Sequence, residues 1–211
     1  MNGSTLNSVS QEKDLGVIIT GDLKPSRQCA TAAARANGVL GLIKRNFSCF
    51  RKEIVLNLYK QLVRPHLDYA VQAWNPFYEK DKFILEQVQR RATRLIPDVS
   101  HLSYHDRLQI LGLTTLELRR VRGDMIQVFK YLSGSDSLTT CSFLKVCTNT
   151  RLHGHCKKLA KCFSRLDIRK FSFSQRVVNN WNSLPEWVIN SSSVHCFKVN
   201  IDKFFVDCGK I

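Results

Sequence analysis

The chain has 211 residues, a length that suits one substantial domain or two small ones and allows a buried core. Hydrophobic residues make up 44% and charged residues 23%, which excludes a disordered chain of low hydrophobicity. Lysine and arginine number 32 against 17 acidic residues, a net charge of +15, so a polyanionic partner is expected. Charge alone does not separate nucleic acid from an anionic membrane surface.

The first predicted element is a β-strand at residues 15–19, where β-branched residues precede the turn signal Gly21-Asp22. A single strand leaves its backbone hydrogen-bonding groups without partners. Its partner strand is therefore expected either in residues 1–10 or in a sheet of a larger protein.

From residue 26 onward, apolar residues recur at steps of three and four, which predicts helices. One helix is expected to end near Asn46, and a second to begin near Lys52 with a kink or break at Arg64, because Pro65 lacks a backbone N–H. A third helix is expected to stop at Pro97.

Helix starts are also predicted at Ser103 and Thr114, each followed three residues later by an acidic residue. The second of these helices is expected to end at Gly134. Residues 133–150 break the periodicity and indicate a linker. Beyond it, Ser174 and Ser183 could each cap a helix, and an apolar stripe at 197–208 predicts the last one.

Eight cysteines occur between Cys29 and Cys208, and residues 1–11 are polar, without the apolar core of a secretory signal. Several cysteines fall at apolar helical positions. We therefore interpret them as reduced thiols of a cytoplasmic or nuclear protein that is not secreted. The longest apolar runs are too short to span a bilayer, so no membrane partner is expected.

Five sequence strings follow one another along nearly the whole chain: EKDLGV at 12–17, LYKQLVRPHLDYA at 58–70, VQRRATRLIP at 88–97, RVRGD at 120–124 and SQRVVNNWNSLP at 174–185. In order and spacing they resemble the C-terminal third of polymerases from jockey-like LINE (non-long-terminal-repeat) retrotransposons. One such string would be a weak signal, whereas five in the family's order are specific.

The resemblance implies that the first string lies at the end of a polymerase palm, just before the helical thumb. The implied fold is mainly α, a helical thumb-like bundle with a short β segment at the N-terminus and a small C-terminal helical unit. The implied divisions are a palm-end β remnant (1–24), a helical thumb-like domain (25–133), a basic linker (134–173) and the small C-terminal helical unit (174–211).

Reverse transcriptases hold two catalytic metal ions with an aromatic-x-Asp-Asp turn and a further upstream aspartate. This sequence contains no Asp-Asp pair. The resemblance therefore implies a non-catalytic fragment of an RNA-directed DNA polymerase. The parent polymerase would use Mg²⁺, and no cofactor is expected for this chain alone.

One constellation resembles a set of zinc ligands: His153, His155, Cys156 and Cys162. Zinc sites favour C-x₂₋₄-C and H-x₃₋₅-H spacings, which let the backbone wrap one ion, and these residues do not follow them. A basic loop with incidental thiols is favoured over a zinc knuckle, and the knuckle stays an alternative.

Two arginine clusters and a basic C-terminal stretch supply the candidate nucleic-acid-binding residues: Arg90, Arg91, Arg94, Arg119, Arg120, Arg122, Lys157, Lys158, Lys161, Arg169 and Lys170. Arg90 and Arg94 would share a helix face one turn apart, about 6 Å, and a guanidinium donates two parallel bonds to a phosphate. The alternative is a solvated basic helix face.

By resemblance, the helices would grip the backbone of RNA, DNA or an RNA–DNA hybrid without reading sequence. Trp74, Trp181 and Trp187 could offer base-stacking surfaces, with Trp181 preferred in the core. A second hypothesis is a protein-interaction module that docks onto a palm domain in trans, which an exposed apolar patch at residues 15–19 would favour. An inert element remnant and a zinc-stabilised DNA-binding regulator are further alternatives.

Overall fold

The computed structural model describes residues 9–134, 143–147 and 155–209. Within these residues the chain is mainly helical, with a two-stranded antiparallel sheet near the N-terminus, which confirms the predicted fold class. The chain divides into two compact units, Met1–Arg107 (unit 1) and Leu108–Ile211 (unit 2). No described helix is both long and apolar enough to cross a membrane.

Unit 1 is a β-hairpin followed by helices. Its elements are β1 (Gln11–Asp14), β2 (Val17–Thr20), α1 (Ser26–Asn46), α2 (Lys52–Leu58), a π-helical turn (Tyr59–Val63), α3 (Arg64–Asp68), α4 (Val71–Trp74), α5 (Glu79–Arg94), α6 (Pro97–Ser100) and, crossing into unit 2, α7 (Tyr104–Leu111). The π-helical turn comes just before Pro65, whose missing N–H disturbs the hydrogen-bond ladder of the preceding turn. The irregularity predicted at Arg64 thus begins one turn earlier.

The strand prediction is wrong in its start and in its partner. Strand β2 begins at Val17, and β1 pairs with it in antiparallel register from Gln11 opposite Thr20 onward. Leu15 and Gly16 form the two-residue loop, with φ of 44° and 85°. Two consecutive positive φ values suit the twist of a tight hairpin, so the chain reverses inside the segment that was predicted as strand.

The long amphipathic helices of unit 1 match their prediction. Helix α1 covers the predicted range, and five positions of its predicted apolar stripe are buried: Cys29, Ala33, Ala36, Leu40 and Ile43. The sixth, Phe47, lies just past the end of the helix and is 41% exposed. This stripe packs against α5, which ends at Arg94, before Pro97. A helix-period stripe is a local pattern, which is why the sequence is sufficient to predict it.

Unit 2 is built around three longer helices. Its elements are α8 (Leu116–Leu132), α9 (Asp167–Lys170), α10 (Phe173–Asn182), α11 (Glu186–Ile189) and α12 (Val194–Asp207). Helices α10 and α12 pack against α8, and the rings of Phe129 and Phe197 stack with their centroids 4.3 Å apart. Trp181 is fully buried in this core, as predicted.

The predicted boundary near residue 133 is not where the structure divides. Helix α8, assigned to the thumb-like domain, contributes Met125, Val128 and Phe129 to the core of unit 2. The sequence signal at Gly134, which has φ of 68°, marks the end of a helix. A helix end and a domain linker share the same small and polar residues, so the sequence does not separate them.

The described part of the predicted linker belongs to unit 2 as well. Residues 155–163, here the strap, lie along α10, where the Asn182 side chain exchanges two 2.9 Å hydrogen bonds with the backbone of Leu159. The indole Nε1 of Trp181 donates to the carbonyl of Lys157 at 2.8 Å. Leu159 is only 2% exposed, so the strap is a packed segment despite its charge.

Helix starts follow the predicted chemistry with small shifts. Ser103 Oγ accepts from the amide of Asp106 at 3.3 Å, as its capping pattern predicts. In α8 the cap is Thr115, which accepts from the amide of Leu118 at 3.2 Å, one residue after the predicted Thr114. Helix α10 begins at Phe173, one residue before the predicted cap Ser174.

Candidate nucleic-acid interface

Helices α1 and α5 run in the same direction. Ser26 Oγ donates to Asp81 Oδ2 at 2.6 Å near the start of both helices, and Arg91 Nη1 donates to Asn37 Oδ1 at 3.1 Å further along both. Both contacts advance by nearly the same number of residues on each helix, which only parallel helices allow. The carboxyl ends of the two helices therefore lie at the same end of unit 1.

Exposed basic residues mark this end, here the basic end: Lys44 and Arg45 in the last turn of α1, and Arg91 and Arg94 in the last turn of α5. The acidic residues of α5 are confined to its first half. The four cations interact favourably with the helix dipoles and leave their charged groups accessible to solvent. A dissolved polyanion can therefore reach them.

Arg90 has a different environment from its two neighbours in the cluster. Its guanidinium carbon lies 4.1 Å from the centroid of the Tyr104 ring, and its Nε is buried without a hydrogen-bond partner. The Tyr104 hydroxyl donates to Glu86, and burial of this ring raises the pKa of Tyr104. The Arg90 side chain thus packs inside unit 1. The exposed arginines at this end of α5 are Arg91 and Arg94, in place of the predicted pair Arg90 and Arg94.

The second arginine cluster, on α8, is turned into unit 2. Arg120 is buried at 4% exposure. Arg122 donates from Nε and Nη2 to the two carboxylate oxygens of Asp202 at 2.5 and 2.8 Å. Arg119 is half-buried. The phosphate contacts expected of this cluster stay a prediction, while the structure buries Arg120 and pairs Arg122 with Asp202.

A buried ion pair lies beside this cluster. Arg176 donates from Nε and Nη2 to the two carboxylate oxygens of Asp124 at 2.9 and 3.0 Å. Burial raises the pKa of Asp124, and the adjacent Arg176 guanidinium opposes that shift. The pair joins α8 to α10, and both residues belong to strings that carry the family resemblance.

The predicted basic residues of the C-terminal stretch lie on the strap and on helix α9 of unit 2. Lys157 and Lys161 on the strap are exposed, and Lys158 is half-buried. Arg169 and Lys170 are the last two residues of α9, and both are exposed. The Nζ of Lys161 donates to Asn179 at 3.2 Å, a contact at the surface that leaves the ammonium accessible to solvent.

Among the described residues of unit 2, the most exposed large apolar side chain is one that was not among the predicted site residues. Phe163 is 93% exposed, whereas Trp74 and Trp181 are buried at 4% and 0%. Trp187 is 47% exposed and is the one predicted stacking residue of the three that is accessible. An aromatic residue between Lys161 and Arg165, outside any apolar periodicity, was the available signal for Phe163.

His155, one of the predicted zinc ligands, is part of the core packing. It is 3% exposed, and its Nε2 donates to the carbonyl of Trp181 at 3.2 Å. Burial lowers the pKa of His155. Cys156 is exposed, Cys162 is half-buried, and His153 lies outside the described residues. In residues 9–134, 143–147 and 155–209 no three histidine, cysteine or acidic side chains lie together as a metal site.

No protein-family model matches this sequence, and no match is found among the curated proteins or among the solved structures. The resemblance to retrotransposon polymerases thus remains a prediction that the sequence strings carry by themselves.

Proposed function

We propose that this chain is a non-catalytic C-terminal fragment of a retrotransposon RNA-directed DNA polymerase, and that it binds nucleic-acid backbone through its basic helices. The observation that carries the proposal is the basic end of unit 1, where Lys44, Arg45, Arg91 and Arg94 are exposed on the last turns of two parallel helices. The partner is RNA, DNA or an RNA–DNA hybrid.

The physical argument is one of charge density. Packed helix axes are about 8–10 Å apart, so the four cations share a small surface. A duplex presents one negative charge per about 1.7 Å of its axis, so a surface of this size faces several phosphates at once. Neutralising them releases condensed counterions, a contribution to affinity that does not depend on base sequence.

The cell compartment of the proposal is the cytoplasm or the nucleus. Cys49, Cys156 and Cys208 are exposed thiols. Exposed thiols persist in reducing compartments and are oxidised elsewhere, which supports this assignment.

The test is fluorescence anisotropy of the full chain with a labelled RNA–DNA hybrid, single-stranded RNA and duplex DNA, across a salt series. The proposal expects submicromolar binding that weakens steeply from about 50 to about 200 mM salt. The double variant Arg91→Ala with Arg94→Ala should weaken all three complexes and reduce the logarithmic salt slope by about 1 to 2.

A matched control separates location from net charge. Lys198 and Lys203 are exposed on α12, and replacing both by alanine removes the same two charges from unit 2. This variant should retain the salt slope of the native chain more closely than the α5 variant does. A folded native chain that binds none of the three nucleic acids at low salt would contradict the proposed function.

A second candidate function, docking onto a palm domain in trans, is favoured by the hairpin. Leu15 is 84% exposed, and Ile19, Leu23 and Tyr69 are 44%, 56% and 58% exposed. The Tyr69 hydroxyl donates to the Leu15 carbonyl at 2.9 Å, which holds the loop in place. Leu15 and Tyr69 are in contact, and together with Ile19 and Leu23 they expose apolar side chains of the kind that mark interaction sites.

Docking is tested by mixing the chain with a separately produced palm domain of a jockey-like polymerase and measuring complex formation by analytical ultracentrifugation. The variant Leu15→Ser with Leu23→Ser should abolish the complex. Val206→Ser on α12 removes another apolar side chain, 57% exposed, and should leave the complex intact. No complex with the native chain would remove this second candidate.

A further inference from the structure

Phe163 holds an aromatic ring in solvent at a fixed place on unit 2. The preceding amide, of Cys162, donates to Gln175 Oε1 at 3.0 Å, and Ser164 Oγ donates to the Cys162 carbonyl at 3.4 Å. Gln175 is itself buried, so the backbone beside Phe163 is tied to α10. The ring is nevertheless 93% exposed and contributes almost nothing to the core.

Cations surround this ring in the sequence and are accessible in the structure. Residues 155–170 contain six basic side chains, and Asp167 is their only acidic residue. Five of the basic side chains are exposed: Lys157, Lys161, Arg165, Arg169 and Lys170. A solvent-facing ring among exposed cations has the two chemical groups that proteins use to hold single strands, a stacking surface and phosphate partners.

We propose that Phe163 and these cations form a site for single-stranded nucleic acid, with the ring stacked on an unpaired base and the cations on the flanking phosphates. A duplex is a poor ligand here, because its bases already stack on one another and present no free face. The inference rests on the proposed nucleic-acid binding and adds a partner class for unit 2. Single-stranded RNA and DNA share this chemistry, so the experiment includes both.

A membrane surface fits the same observations less well. The other exposed apolar residues here are Leu166 and Ile168, at 66% and 44% exposure, and Arg165 and Asp167 interrupt the apolar sequence. Helix α9 has only four residues, too few to present a long apolar face to a bilayer. The charged and aromatic composition therefore favours a strand with separated bases and phosphates.

The experiment measures the affinity of the full chain for labelled single strands of about 12 nucleotides, one of uridine and one of thymidine, and for duplex DNA. Base stacking on an aromatic side chain is worth about 1–3 kcal/mol, so Phe163→Ala should weaken single-strand binding by roughly 5- to 150-fold. Duplex affinity should change less than about twofold, because the basic end of unit 1 is intact.

Two substitutions at the same position separate stacking from burial. Phe163→Trp should bind single strands at least as tightly as the native chain, because indole also stacks. Phe163→Leu keeps an apolar side chain without a ring and should resemble Phe163→Ala. Val206→Ala shortens an apolar side chain on α12 that is 57% exposed and should leave affinity unchanged. Circular dichroism should be the same for all variants because neither side chain is in the core.

Several outcomes would overturn the inference. Native-like single-strand affinity in Phe163→Ala or Phe163→Leu would exclude stacking while leaving the proposed backbone binding in place. Loss of binding to phosphatidylcholine–phosphatidylserine vesicles in Phe163→Ala, with oligonucleotide affinity unchanged, would assign the ring to a membrane surface. Absence of all nucleic-acid binding by the native chain would remove this site and the proposed function together.

Discussion

The arginine clusters at 90–94 and 119–122 look alike in sequence and differ in the folded chain. On α5, two of the three arginines are exposed at the end of the helix. On α8, Arg120 is buried and Arg122 is bound by Asp202. The difference follows from packing, because α10 and α12 pack against α8 and α12 brings Asp202 to Arg122, whereas Arg91 and Arg94 stay exposed although α1 packs against α5.

The comparison shows that a charge cluster becomes a binding surface only when its own chain does not supply the counter-charge. Asp202 is distant from Arg122 in sequence, and Asp124 meets Arg176 in the same way. These partners are set by tertiary packing. Of the basic residues behind the net charge of +15, the ones that present positive charge to a partner are therefore those that packing leaves exposed.

The largest expected effect is in the buried pair of unit 2. Arg176→Met leaves the Asp124 carboxylate buried without its bidentate partner and should lower the free energy of unfolding by about 3–5 kcal/mol. Urea denaturation measures this change. Combining it with Asp124→Leu removes both charges and should recover much of the loss. A single-variant loss below about 1 kcal/mol would show that the pair is not structural.

The second effect depends on pH and concerns His155, whose pKa is lowered mainly by burial. The unfolded chain takes up a proton below pH about 6.5 and the folded chain resists it. The free energy of unfolding should therefore fall as pH drops below about 6.5, by up to about 1.4 kcal/mol per pH unit from this group. The contribution of His155 to the free energy of unfolding stops changing with pH once the pH is below the lowered pKa of the folded chain.

His155→Gln removes the titrating group and should flatten that part of the profile relative to the native chain. Lys157, Lys158 and Glu186 are the charged groups that act on His155. Urea denaturation at pH 7.5, 6.5, 6.0 and 5.5 measures the difference. Parallel profiles for the two proteins would mean that His155 is already solvated in the folded chain.

A smaller effect separates Arg90 from its neighbours on α5. Arg90→Ala removes the guanidinium from the Tyr104 ring and should lower the free energy of unfolding by about 0.5–2 kcal/mol. Arg91→Ala, an exposed change in the same helix, should stay within about 0.5 kcal/mol. Urea denaturation measures both losses. An equal loss in the free energy of unfolding for the two variants would show that Arg90 packs no more closely than Arg91.

The smallest effect is expected on α8, for Arg122→Ala. The Arg122 and Asp202 side chains are 28% and 46% exposed, so solvent screens their attraction, and the loss should be about 0.2–1 kcal/mol. Nucleic-acid affinity should change less than in Arg91→Ala under the same salt. A larger fall in affinity for Arg122→Ala, measured by anisotropy, would restore the α8 cluster as a binding surface.

Much of the helical architecture was predictable because its signals are local. The stripe of α1 and the stop before Pro97 each depend on residues within a few turns of one another. The hairpin was not predictable in the same way, since Leu15 is an unusual residue for a loop position with positive φ. The boundary inside α7 carries no composition signal at all.

The candidate site was predictable only as a list of basic residues. The sequence selected Arg91 and Arg94 together with Arg120, and nothing in the local pattern separates an exposed arginine from a buried one. It also missed Phe163, because a phenylalanine is expected inside a protein, whereas this ring is 93% exposed beside a backbone amide that Gln175 binds.

The sequence by itself determined the helical class of the fold, the excess of positive charge, the absence of an Asp-Asp pair and the five strings that resemble retrotransposon polymerases. Composition and short-range periodicity are sufficient for each of these. Only the tertiary structure decided which cations remain in solvent, which of them meet Asp124 and Asp202, and where the chain divides. Those outcomes depend on contacts between residues far apart in sequence, whose positions are set by burial of the core.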